Sequence, residues 1–227
     1  MVGEADKKWL WGAGVFLIAF QLHYDYLLNL FYHFGAPYFD AGLFAHLLWH
    51  NDWTLANPHL RGEYSYFCVH FSPFLLLASR FSQLIPTHMV EFYSGFIAGI
   101  YATLGLVMLL ALFACFRPRS AWQSALLALA ALAFAFNGEI VKGMWMPHFE
   151  YAIPLGIILF LWLYKRGHTG WSLFFFVLTL LMREDAGLHL TAILGVLAAI
   201  AFWEKRSFQA IRTELILMAY AFGYSLL

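Results

Sequence analysis

Residues 89–119 read MVEFYSGFIAGIYATLGLVMLLALFACFRPR. One acid, Glu91, stands near the start, an apolar run follows to Phe116, and Arg117 and Arg119 close it. The hydrocarbon core of a bilayer is about 30 Å thick and takes about 20 helical residues. This run is therefore a transmembrane span. Lys and Arg collect on the cytoplasmic side of such spans, so the arginine pair also gives its direction.

The same alternation repeats on both sides of that stretch. Apolar spans are expected over residues 9–30, 89–116, 121–136, 151–164, 171–182 and 186–203, with a seventh starting near Glu214. The fourth and fifth are short for a bilayer and must draw residues from their flanks. With the N-terminus inside, the cytoplasmic joints hold Lys7, Lys8, Arg117, Arg119, Lys165, Arg166, Lys205, Arg206 and Arg212, nine of the 13 basic residues. Asp25, Asp40, Asp52, Glu63, Glu91, Glu139, Glu150, Glu184 and Asp185 fall on or near the other side. The expected protein is an all-α, polytopic transmembrane bundle of the cell membrane, N-terminus cytoplasmic and working face outside.

Composition agrees. The chain has 227 residues, 63% of them hydrophobic and only 11% charged, against about 25% charged in a soluble domain. Formal net charge is zero, so no nucleic-acid partner is implied. Membrane lipid is the expected surrounding partner. Cys68 and Cys115 lie in different segments and form neither a zinc motif nor a disulfide framework. Lys7-Lys8 before an apolar stretch resembles a signal peptide. The run continues to Phe31 without a small-residue cleavage site, so a retained first helix is expected. The reading is one transmembrane domain over 1–227, the N-terminal module of a longer protein.

Residues 31–88 form a long outer loop, and a loop of that length is usually functional or separately structured. Phe39, Leu43, Leu47 and Leu48 recur at helical spacing, which predicts an amphipathic surface helix over 38–53. A second surface or re-entrant helix is expected over 71–85, too short to span and carrying Arg80. Were it to span, every later orientation would invert, and the basic joints argue against that.

Several polar constellations stand out. Asp40, at the start of the first surface helix, suits a general base or a helix cap. His148 and Glu150 form H-x-E before the fourth span, a weak metal pattern without the P-C-x-x-C of nucleobase deaminases. Arg183-Glu184-Asp185 sits between two apolar spans, as a solvated turn or as a functional cluster facing the bundle interior. The arginine suits a phosphate. Glu150, Glu184 and Asp185 are the candidate ligands for a divalent metal, the one cofactor the pattern suggests. Gln21, Asp25 and Asn29 recur every four residues along the first helix and are expected to point into the bundle rather than to lipid.

The ordered motifs resemble a known family. Phe39-Asp40-Ala41-Gly42-Leu43-Phe44 with Leu48-Trp49 is similar to the D-x-G-[IL]-F-x-x-x-L-W pattern of the membrane family known as domain of unknown function 2079. His70-Phe71-Ser72-Pro73 resembles its H-F-S-P segment, His148-Phe149-Glu150 its H-x-E, and Arg183-Glu184-Asp185-Ala186 its K/R-E-D-A. The match departs at Ala45, where a second acid is expected, and at His46, where the family has Gln. That family resembles the C-type (GT-C) glycosyltransferases. The resemblance implies a GT-C-like bundle, a polyprenyl-phosphate-linked sugar as donor, and an acceptor hydroxyl at the outer face. It implies Asp40 as base. In such a transfer His70, His148, Glu150, Arg183, Glu184 and Asp185 are expected to bind substrate, with Arg183 and His148 at the departing lipid phosphate. A transporter or flippase of a lipid or small solute, and a non-catalytic membrane scaffold, are the alternatives.

Overall fold

The computed structural model describes residues 4–33, 38–50, 55–56, 65–85, 88–205 and 208–227, and these are almost wholly helical. In chain order the helices are α1 (Glu4–Tyr32), α2 (Tyr38–His50), α3 (Pro73–Ser82), α4 (Met89–Phe116), α5 (Ala121–Ala135), α6 (Gly138–Trp145), α7 (Ala152–Lys165), α8 (Thr169–Met182), α9 (Ala186–Lys205) and α10 (Arg212–Tyr224). Short 3-10 turns fall at Tyr66–Cys68, Phe149–Tyr151 and Phe208–Ile211.

Among the described residues three helical segments are long and apolar enough to cross a membrane: Met89–Phe116, Ala121–Trp145 and Ala186–Glu204. The second joins α5 to α6 through Asn137, whose side chain accepts from the Glu139 and Ile140 N–H groups and restarts the helix. α1 has the length, at 29 residues, but its polar positions keep it out of this set. The apolar exterior fits a lipid-facing surface. Leu126 and Leu129 on α5, Phe174 and Val177 on α8, and Val196 and Ile200 on α9 all point outward. A soluble protein would set charges there.

The chain divides into two compact units, Met1–Trp49 with Ser82–Phe149, and His50–Phe81 with Glu150–Leu227. In the first, α1 packs along α4, and α5 packs on both. Small residues let these backbones approach, as membrane helices require where lipid and side chain are equally apolar. Ala19, Ala102 and Ala135 form one buried layer. Val15, Leu109, Phe113, Ala128 and Ala131 form the next. A Cβ on Gly105 would lie 3.1 Å from that of Ala135. Ser120 starts α5 with a reciprocal cap, its hydroxyl taking the Gln123 N–H while the Gln123 side chain reaches back. At the other end of that joint Arg117 takes a left-handed conformation (φ 46°) to stop α4, and Pro118 keeps the helix from resuming.

The buried stripe of α1 is Val15, Ala19, His23, Leu27 and Phe31. Gln21, Asp25 and Asn29 repeat with the same period two residues out of phase, which is roughly 200° around the helix. They are exposed, contrary to the expectation that they face the bundle. The stripe wins the packed face because Val15, Ala19, Leu27 and Phe31 remove apolar surface, while the polar triad bonds within its own helix. α2 buries Leu43, Phe44, Ala45, Leu47 and Leu48, a wider arc than one apolar stripe.

In the second unit α7 packs on α8, α8 meets α9, and α9 packs on α10. Gly167, at φ 75°, turns the chain between α7 and α8. The closest approaches run through two glycines. A Cβ on Gly156 would collide with Thr179 Oγ1, and one on Gly187 with the Ala221 carbonyl oxygen. The first partner is a buried, β-branched side chain whose hydroxyl is held by the Phe175 carbonyl; the second is backbone.

Candidate functional site

α8 ends where Arg183 leaves helical geometry for an extended backbone. The next carbonyls start α9 at once: Arg183 O takes the Ala186 N–H (3.1 Å), Glu184 O the Gly187 N–H (3.2 Å) and Asp185 O the Leu188 N–H (3.0 Å). The charged triplet is thus the entry to α9, where the positive end of the helix favours carboxylates.

Glu184 uses both oxygens. His70 Nδ1 donates to Oε1 at 2.8 Å, and the Phe71 N–H donates to Oε2 at 2.8 Å. Arg183 Nη1 donates to Glu150 Oε1 at 3.0 Å. Its Nε lies 3.5 Å from Asp185 Oδ2 and 3.8 Å from Glu184 Oε1. Three segments far apart in sequence therefore meet in one polar cluster of the second unit. It is half-buried: Glu150 is 16% exposed and Arg183 25%. The Tyr66 ring sits beside His70, 5.8 Å between centroids. The Tyr224 ring packs on Phe71 at 5.8 Å.

Electrostatics favour the charged forms of Glu184 and Arg183. Burial pushes the Glu184 carboxyl up, but the bonds from His70 and from the Phe71 N–H leave it below the ordinary glutamate value. Burial likewise pulls the Arg183 guanidinium down, and the carboxylates of Glu150 and Asp185 more than offset that. Three carboxylates face one guanidinium and one imidazole. Ser72 Oγ, Arg183 Nε, Asp185 Oδ1 and Tyr224 OH are shielded from solvent without a hydrogen-bond partner among the described residues. Buried polar atoms left open in this way mark a place for water or a polar ligand.

Of the residues singled out in the sequence, His70, Glu150, Arg183, Glu184 and Asp185 come together here. His148 belongs to the first unit, where its ring meets Phe44 edge-on at 5.1 Å. Asp40 lies in the first turn of α2, and its side chain is outside the described residues. Among the described residues no group of three His, Cys, Asp or Glu side chains is arranged to hold a metal. Glu150, Glu184 and Asp185 are instead spread around Arg183 and His70. The Phe71 N–H and Tyr224 were not foreseen. A backbone donor leaves no mark in sequence, and Tyr224 shares no spacing with the motifs. Searches against family models, curated proteins and solved structures find no match for this chain.

Proposed function

We propose that this integral membrane protein is a glycosyltransferase of GT-C-like architecture. It moves a sugar from a polyprenyl-phosphate donor to an acceptor hydroxyl at the outer membrane face, with its N-terminus cytoplasmic. One observation carries the reading: His70, Glu150 and Arg183–Asp185, from three separate motifs, converge on a half-buried cluster with open polar atoms. In a chain with 11% charged residues, such a gathering is costly unless a ligand uses it. Alternating carboxylates and N–H donors suit the hydroxyls of a sugar, each of which both donates and accepts. The resemblance in the four motifs supplies the reaction.

In that reaction Asp40, assigned on the resemblance alone, takes the proton of the acceptor hydroxyl. The acceptor oxygen bonds to the anomeric carbon from the face opposite the phosphate. The bond from that carbon to the phosphate oxygen breaks, and its electron pair leaves with the polyprenyl phosphate. Glu150, Glu184, Asp185 and His70 hold sugar hydroxyls. Arg183 is better suited to fixing the carboxylates than to clamping the phosphate, because an approaching anion meets an excess of negative charge around it.

The test is transfer of radiolabelled sugar from a polyprenyl-phosphate donor to lipid or protein acceptors by the full chain in proteoliposomes. Asp40→Asn is expected to abolish transfer, and Glu150→Gln to lower it by about a hundredfold, the scale of losing well-placed polar contacts in a transition state. Both variants should insert normally. Solute uptake with no donor consumed would replace this reading with a transporter.

A further inference from the structure

A cavity of about 350 Å³ opens in the first unit where the end of α1 meets the start of α4. Its described lining is Tyr32, Trp49, His88, Met89, Val90 and Glu91, none of which the proposed transfer uses. Glu91 lies in the first turn of α4, where the positive helix end favours its ionised form. Tyr32 donates its hydroxyl proton to Glu91 Oε1 at 2.6 Å. The other oxygen, Oε2, is shielded from solvent and takes no hydrogen bond among the described residues. The rings of Tyr32 and Trp49 are open, at 58% and 45% exposure.

We propose that this cavity binds an organic ammonium group. The described lining holds one carboxylate, one histidine (His88) and no lysine or arginine, so with the imidazole neutral its charge selects a cation. Aromatic faces attract ammonium ions within about 6 Å of the ring centroid. The rest of the wall is apolar, which suits methyl or methylene groups around the nitrogen. A sugar would need more hydrogen-bonding groups than this wall offers. An anion would be repelled by Glu91. The cavity sits at the end of an apolar span, at the level where lipid headgroups lie. The ammonium therefore comes either from a zwitterionic lipid headgroup or from a free amine. The inference stands apart from the transferase reading.

The test uses the full chain in phosphatidylglycerol nanodiscs and saturation-transfer NMR on the methyl protons of tetramethylammonium, with empty discs as background. A saturable signal is expected for tetramethylammonium and none for neutral tert-butanol. Glu91→Gln, which keeps an acceptor for Tyr32, should raise the midpoint about tenfold. Trp49→Leu should weaken binding independently, and circular dichroism confirms that both variants fold. Discs doped with phosphatidylethanolamine at a fixed phosphatidylglycerol fraction, compared with discs doped with uncharged diacylglycerol so that surface charge is constant, distinguish the sources. A raised midpoint there identifies the lipid headgroup, and an unchanged one a free amine. No saturable signal in the wild type, or the same midpoint in all three proteins, overturns the proposal.

Discussion

Two polar assemblies in this chain use the same kinds of side chain to opposite ends. On α1, Gln21 Nε2 donates to both Asp25 oxygens at 3.0 and 3.1 Å, and Asn29 Nδ2 donates to the Asp25 carbonyl at 2.8 Å. Every partner is four residues away, and the ladder is exposed. At the entry to α9, Glu184 reaches His70 and Phe71 more than a hundred residues earlier, and Arg183 reaches Glu150. That cluster is half-buried and leaves polar atoms open. A helix can satisfy its own polar residues at i, i+4 without help from the fold. A cluster assembled across the chain has to be held by packing, and it is the cluster that has something left over for a ligand.

Four changes separate the two. Arg183→Ala has the largest expected effect. It leaves Glu150, Glu184 and Asp185 without their shared cation, and should cost about 3 kcal/mol, the lower end for breaking a buried pair because the cluster is partly solvated. Chemical unfolding in detergent measures it. Next is Gly187→Ala, which drives a Cβ against the Ala221 carbonyl and should cost about 2 kcal/mol as overpacking. It disturbs the first turn of α9 without touching a charge, so it separates packing from electrostatics.

The third is a pH effect. The folded state holds the Glu184 carboxyl below its ordinary value of 4.5. A depressed carboxylate contributes stability that is complete above the unfolded value and is lost as pH falls through the folded one. Stability should therefore decline below pH 4.5, and Glu184→Gln should flatten that decline in an acid titration followed by circular dichroism. The smallest effect belongs to Asp25→Asn. It removes one rung of an exposed ladder and should change stability by less than about 0.5 kcal/mol. A large loss there would mean that the ladder is buried against something in the membrane.

Much of the helical layout was legible. The run from Met89 to Phe116 starts and stops where α4 does, because Arg117-Pro118 ends both the apolar run and the helix. Asn137 was harder to read. It looked like the edge of a span, yet it caps α6 and carries the apolar segment on to Trp145. The orientation of α1 was misread because Gln21, Asp25 and Asn29 share the period of the buried stripe, and period alone does not say which side faces inward. Within the cluster, His70, Glu150 and Arg183–Asp185 could be named from the motifs. Their bonding could not, since it depends on how α8 turns into α9. Tyr224 became visible only through the ring packing of Phe71.

The central claim is that segments distant in sequence form one interacting polar unit. A double-mutant cycle on Glu150→Gln and Arg183→Gln tests it most directly, read as unfolding free energy of the full chain in detergent. Coupling of about 1–2 kcal/mol between the two substitutions is the predicted result. Costs that simply add, within about 0.5 kcal/mol, would show that Glu150 and Arg183 do not meet and would contradict the account.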